Sequence, residues 1–546
     1  MDFSLDSIAR WAYFWQQLTL VRSELWLVAG MCAVLIAPFF KRDSAKAPIA
    51  VTLCSLLLAL LSIGGGDAGD GSVFHGSLTI DPFSQFFKVL LYSFAALVVM
   101  QWSILRRDAR SHLDTPDFMC LLLGATFGMS LMASASNLLT LFIATEAASM
   151  PSYALAGFRK RSRLGTEGSM KYVLFGAASS ALMLYGLSLV YGTTGSLEFG
   201  AIARVGATTG VSPLMAIGLM GVLGGIAFKL SAAPMHFWCP DVFQGAPTEV
   251  TTFLSVASKG AAIALLVRFL GAFGNAAITL PGGPTDPHVF AGLASGVAVL
   301  GGVTAFWGNL VAYHQRNIKR LLAYSSISHA GYMIMAASVM PLADRLPKGV
   351  DSQDVTEALL FYLLIYLFMN LGAFTLAALV TQKTGSEDIE DYKGLAYRHV
   401  PLTALFMIFL LSLFGMPGLG GFMGKVFLAK GVAKLGFGGL VIIAVLLINT
   451  LISFFYYMRP IVYMCLKSPG RNLPAFVPNP AGMVLASACA FMILFTGLLP
   501  GRLSTRDYGV LAHEPLPRVS LPQPVSKPAV RATPTAPQTP QGPRGL

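Results

Sequence analysis

Apolar runs of about twenty residues, separated by short polar intervals, recur along most of this chain. A helix that crosses a membrane needs about 20 mostly apolar residues. That rule predicts fourteen spans, over 23–40, 47–63, 82–104, 117–134, 138–157, 169–191, 212–242, 248–271, 289–312, 318–340, 355–380, 400–429, 437–458 and 479–499. Two of these runs are too long for one plain helix and carry breakers in the middle: Ser231–Pro234 in the seventh, Gly415–Gly421 in the twelfth. Proline removes an intrahelical donor and clashes with the preceding turn, and glycine is permissive of non-helical backbone. Both runs are therefore read as discontinuous helices. The fold class expected is an all-α polytopic membrane protein with about 14 transmembrane helices.

The two breaks lie five spans apart, the first beside Lys229 and the second beside Lys425. Interrupted spans at matching places in two halves mark an inverted repeat with an ion site near mid-membrane. Five is odd, so the halves have opposite topology. The chain divides accordingly: an N-terminal segment 1–22, peripheral helices in 23–116, a first repeat in 117–271, a second in 289–458, a last helix 479–499 and a Pro-rich tail 501–546. Beyond about residue 514 the tail is rich in Pro, Ala, Thr and Gln and is expected to be disordered. No small-residue cleavage site stands where a signal peptide would need one, so none is expected.

Composition agrees with the pattern. Of 546 residues 55% are apolar and 12% charged, against roughly 25% charged in soluble domains. The net charge of +12 is a loop property: loops after odd-numbered spans hold 19 Lys and Arg, Lys319 and Arg320 among them, and loops after even-numbered spans hold five. The positive-inside rule then puts the odd loops in the cytoplasm and both termini outside. Basic residues are not interleaved with aromatics as in single-strand binders, which speaks against nucleic acid. Six cysteines occur without a CxxC pair, which speaks against zinc, iron–sulfur ligation and a disulfide framework; they read as small buried residues. The run Gly415–Lys425 fails the phosphate-loop spacing, and no GxGxxG follows a strand.

Six basic residues fall inside the spans: Lys88, Lys171, Lys229, Lys259, Arg268 and Lys425. Lys88, Lys171 and Arg268 lie close enough to span ends to snorkel outward. Lys259 does not. It stands eleven residues beyond Thr248, about 16 Å along a helix and near mid-membrane. An uncompensated lysine there costs about 2.5–3.5 kcal/mol on insertion scales. Glu146 is the acid deep in a span, in LLTLFIATEAASMPSYAL. Burial disfavours a charged amine and a nearby carboxylate favours it, so a carboxylate that approaches or withdraws can load and release a proton. Glu146, Lys229, Lys259 and Lys425 thus form a candidate proton relay, with His329 and His236 as further candidates. The plainer alternatives are static buried pairs that fix helix packing and, for the histidines, core or cap residues.

The runs PMHFWCPDVFQGAPTEVTTFLSVASK (234–259), RNIKRLLAYSSISHAGYM (316–333) and GMPGLGGFMGKVFLAK (415–430) resemble the antiporter-like subunits of bacterial respiratory complex I, NADH:quinone oxidoreductase, and within them the subunit N family. The resemblance implies two inverted five-helix repeats and one proton channel. It implies part of a proton-translocating NADH:quinone reductase (a translocase of class EC 7.1.1) with no redox site in this chain. NADH, flavin, iron–sulfur clusters and quinone would be bound by other subunits. The partners implied are L- and M-type antiporter-like subunits, small K-, J- and A-type subunits and the bilayer. Glu146 resembles the family's fifth-helix glutamate, Lys229 the lysine paired with it, Lys259 the central lysine, Lys425 the lysine near the outward exit and Lys171 a further lysine on the sixth helix. A stand-alone or multisubunit cation/proton antiporter would use the same lysines without electron transfer, and a structural scaffold would use none of them.

Overall fold

The computed structural model describes residues 5–40, 45–63, 71–105, 111–276, 290–343, 351–468 and 477–500. The expected disordered tail and the loop residues Lys41, Arg42, Arg106, Arg107, Arg110, Arg345, Lys348 and Arg471 lie outside them. The helices in chain order are α1 Leu5–Leu20, α2 Arg22–Phe40, α3 Lys46–Ser62, α4 Pro82–Leu105, α5 Ser111–Ser134, α6 Leu138–Ala156, α7 Arg163–Thr194, α8 Phe199–Thr209, α9 Pro213–Leu230 and α10 Trp238–Gly245. They continue as α11 Thr248–Phe253, α12 Lys259–Ala276, α13 Ala291–Ala312, α14 Ile318–Ala337, α15 Ser352–Thr384, α16 Leu395–Arg398, α17 Val400–Phe414, α18 Gly420–Ala433, α19 Phe437–Leu466 and α20 Pro480–Leu498. A π turn, Leu254–Ser258, joins α11 to α12, and a small antiparallel hairpin pairs β1 (Gly71–Val73) with β2 (Leu78–Ile80).

Helix occupies every stretch expected to be a span, although α5, α7, α15 and α19 run past the apolar residues that marked them. Eleven helical stretches among the described residues are long and apolar enough to cross a membrane; α3 and α17 are apolar but shorter. Both expected breaks are present. α9 ends at Ser231 and α17 at Gly415, each with a left-handed residue as its cap. Glycine adopts that conformation freely, whereas a side chain there costs about 1 kcal/mol, so Ser231 (φ 56°) is a locally strained cap.

The two halves repeat each other in detail. Asn137 caps α6 by accepting from the Thr140 amide at 2.7 Å, and Asn317 caps α14 by accepting from Lys319 at 2.9 Å and Arg320 at 3.1 Å. Each asparagine pairs through its backbone with the turn that follows a long helix: Asn137 with Glu198 after α7, Asn317 with Asp388 after α15. Those turns are built alike, on left-handed Gly195 and Gly385 and on Thr194 and Thr384 hydroxyls that donate to the Ser196 and Ser386 carbonyls, 3.0 Å each. Nine residues before each asparagine a glycine admits the neighbouring helix. A Cβ on Gly128 would lie 2.2 Å from the Ala148 nitrogen, and one on Gly308 2.9 Å from the Ser328 nitrogen.

The centre is formed by the π turn with α11 and α12 as far as Gly271, wholly buried, and by α14 and α15, almost wholly buried. α2, α19 and α20 are largely exposed and carry the apolar outer surface.

Several expectations fail here for one physical reason, that a charge near a span end can be matched inside the protein instead of reaching water. Lys88 does not snorkel: its Nζ meets Glu24 at 2.7 Å, both buried. Arg268 does not either. It donates to Asp81 through two nitrogens at 3.1 and 2.8 Å and to the Ala133 carbonyl at 3.0 Å. Lys319, read as a loop charge, is buried in the first turn of α14 and donates to Glu387 and to the Gln244 and Ala246 carbonyls. The cysteines are mixed: Cys239 and Cys489 are buried, while Cys32 and Cys54 lie exposed on α2 and α3.

Candidate functional site

Lys229, Lys259 and Lys425 all point into protein. They are 3%, 1% and 5% exposed. Lys229 sits in the last turn of α9, just before the break, and donates to the Ser149 hydroxyl of α6 at 2.5 Å. Its ammonium also lies 5.6 Å from the Tyr153 ring centre. Glu146 is one turn earlier on α6 and half-buried; it accepts a short hydrogen bond from Ser180 of α7. The expected Glu146–Lys229 pair is therefore not a contact ion pair. A serine, and not the carboxylate, makes the bond to the ammonium.

Lys259 opens α12 directly after the π turn, where one extra residue widens the helix. Its Nζ donates to Ser326 of α14 at 2.6 Å. Lys425, in the second half of the other broken helix, donates to the Phe414 carbonyl at 2.6 Å and to Thr450 at 3.2 Å. The Phe414 carbonyl is one of those that the end of α17 leaves without a helical donor. The broken helix thus supplies its lysine with a ready-made acceptor.

His329 of α14 is buried among tyrosines whose contacts lead toward both Lys259 and Lys425. Its Nδ1 meets the Tyr362 hydroxyl at 2.5 Å and its Nε2 the Tyr457 hydroxyl at 3.2 Å. Tyr457 is in turn bonded to Ser325, the chain neighbour of the Ser326 that holds Lys259. On the far side Tyr332 packs against the His329 ring and lies 5.3 Å under the Lys425 ammonium. Asn309 donates to Tyr332 and to Asn449, and accepts from Tyr456 at 3.0 Å. Sequence reasoning did not single out these hydroxyls and amides. The signal available was the polar run Tyr324–His329 together with Asn449, Thr450, Tyr456 and Tyr457 inside otherwise apolar α19.

The remaining candidates lie elsewhere. Lys171 is 38% exposed and bridges Glu167 at 2.8 Å and Asp241 at 2.7 Å, with Arg320 also on Asp241 at 2.6 Å. It belongs to a surface ion cluster and not to the buried row. His236 is buried beside Phe237 and Trp307. Between Lys229 and Lys259 the break contributes two further buried polar groups, Ser231 and Cys239.

Comparison with known proteins identifies the family of the chain that carries these lysines. Residues 135–453 match the family model described as NADH:quinone oxidoreductase/Mrp antiporter, transmembrane. The chain belongs to that family. The NADH-quinone oxidoreductase subunit N of Geobacillus kaustophilus is 36% identical over 500 residues, which cover 89% of this chain and 96% of that one. A chain of respiratory complex I from Thermus thermophilus, solved with bound aureothin, superposes with a TM-score of 0.70 at 32% identity, covering 88% of this chain and 98% of that one. A chain of the Mrp complex from Dietzia shares the fold, with a TM-score of 0.71 at 18% identity over 90% of this chain and 96% of that one. Membership fixes the class established by the helices: a multi-pass antiporter-like membrane subunit.

Proposed function

We propose that this chain is a proton-translocating membrane-arm subunit of an NADH:quinone oxidoreductase in the bacterial inner membrane, with its basic loops in the cytoplasm and both termini outside. Protons would pass along Lys229, Lys259 and Lys425, with His329 and its tyrosines between the last two and Glu146 setting the charge at the first. The observation that carries this reading is the placement of three amines inside the protein, each bonded to a hydroxyl: Ser149, Ser326 and Thr450. A hydroxyl is both donor and acceptor, so it can pass a proton that an ammonium gives up. Static packing would be served as well by apolar side chains of similar volume, and a buried charge is costly unless it is used or matched. Water would bridge the stretch at Ser231, where the helix break and the buried Ser231 and Cys239 side chains offer polar groups.

Redox chemistry would be supplied by partner subunits, L- and M-type chains and small K-, J- and A-type chains in this reading, with NADH, flavin, iron–sulfur clusters and quinone bound there. The test uses inverted membrane vesicles carrying the assembled complex. NADH-driven acidification falls in Lys229→Ala on this account. Normal acidification with normal assembly would reject it, and acidification driven by a sodium gradient without NADH would favour the stand-alone antiporter.

A further inference from the structure

One buried acid takes no part in the row just described. Glu249, 3% exposed, is the second residue of α11, and its helix continues through the π turn to Lys259. We propose that Glu249 is the carboxylate that takes protons from the face bearing the basic loops and delivers them to Lys259. This rests on the relay reading above and names its entrance.

The surroundings of Glu249 make a graded path from the surface inward. Outermost is Glu387, in the turn after α15 and only partly covered. It holds Lys319 at 2.9 Å, and Lys319 also donates to the Ala246 carbonyl, 2.9 Å away and three residues before Glu249. Lys319 also donates to the Gln244 carbonyl at 3.1 Å, so its buried ammonium closes the turn that leads into the helix of Glu249. Glu249 therefore follows, three residues on from Ala246, a charged mouth formed by Glu387 and Lys319, and Arg320, next to Lys319 in the chain, holds Asp241 together with Lys171.

Inward from Glu249 the same helix offers hydroxyls and little else that is polar. Thr251, Thr252, Ser255 and Ser258 are all buried. Thr252 and Ser255 follow Glu249 at three-residue steps, which puts them on one face of the helix with it. Their hydroxyls donate to the Thr248 and Thr252 carbonyls at 2.8 Å each, leaving their oxygen lone pairs as acceptors. From Glu249 to Lys259 is ten residues, about 15 Å of helix. That is too far for direct transfer but short enough for two hydroxyls and bridging water. The proton balance is simple: the carboxylate takes a proton from hydronium at the charged mouth, leaving water, and passes it through the hydroxyls and bridging water, each of which gains one proton as it gives up another, to the neutral Lys259 amine, which becomes an ammonium.

The experiment compares Glu249→Gln, Glu249→Asp and Lys259→Met in inverted vesicles of the assembled complex, with pumping driven by NADH in light and heavy water. A positioned proton carrier contributes about a hundredfold or more to a transfer step, though other steps dilute this in turnover, so Glu249→Gln is expected to slow acidification roughly tenfold. The solvent isotope effect should rise as entry becomes limiting, and Glu249→Asp should keep most of the rate. If Glu249→Gln pumps at the parental rate, or slows with an unchanged isotope effect, Glu249 is structural and the proposal is overturned. If Lys259→Met pumps normally, the relay itself is wrong, whatever Glu249 does. Should Glu249→Gln fail to assemble, Ser255→Ala carries the same test: a raised isotope effect supports the path and unaltered pumping overturns it.

Discussion

Arg268 ties the helix of the central lysine to the periphery, and its removal should be costly by an amount the structure sets. The guanidinium is 8% exposed and makes three hydrogen bonds, two to Asp81 and one to the Ala133 carbonyl. Removing one partner of a buried pair costs about 3–5 kcal/mol because the other charge is stranded. Asp81 would keep one bond, since its Oδ1 accepts from the Ser84 amide at 2.8 Å at the start of α4. That places Arg268→Met near the low end, about 3 kcal/mol, or roughly a hundredfold in the folded-to-unfolded ratio. Adding Asp81→Asn removes the stranded charge while preserving the cap, and should return about 2 kcal/mol. The assay is detergent-induced unfolding of the purified complex, followed by the loss of this subunit. A single variant within about 0.5 kcal/mol of the parent, or a double variant no better than the single, would refute the reasoning. Lys259 lies nine residues before Arg268, about 14 Å along the helix, so the same tether fixes the depth of the central amine.

Further outcomes follow from other contacts. Gly128→Val should destabilise by about 1–3 kcal/mol, because a Cβ there meets the Ala148 backbone at 2.2 Å and neither helix can yield; unchanged subunit retention in the same assay contradicts this. Ser326→Ala removes the hydroxyl that accepts from Lys259 and should slow NADH-driven acidification severalfold with the complex intact, an effect that a purely structural lysine would not give. Lys171→Ala should leave pumping close to normal, since Lys171 stands in an exposed ion cluster away from the row; a loss as large as that of Lys229→Ala would put it back in the path.

Hydropathy revealed most of the helices because each span is long and the membrane demands a continuous apolar run. The breaks were legible for the same reason: Pro234 and the glycines after Gly415 stand where no span tolerates them without purpose. The partners of the charges were not legible. Asp81 lies outside its span by one residue and 187 residues from Arg268, and no periodicity links them. Lys88 reads as a snorkelling charge until the fold brings Glu24 of α2 to its Nζ, and Lys319 reads as a loop charge until Glu387 and two carbonyls surround it. α1, α8 and the β1–β2 hairpin went unread because none is long and apolar enough to stand out. The site divides in the same way. The lysines stood out because a charge in an apolar run is conspicuous. Ser149, Ser326 and the tyrosines around His329 did not, because hydroxyls are common in membrane helices and only folding shows which of them face an amine.

The central claim is that the buried amines conduct protons and do not merely pack. The most direct measurement is the number of protons moved per electron in vesicles whose assembled complex carries Lys259→Met. Methionine fills similar space without the charge, so assembly should survive. The account predicts a lower proton-to-electron ratio with electron transfer retained or slowed. An unchanged ratio, in a complex that contains the altered subunit, would contradict it.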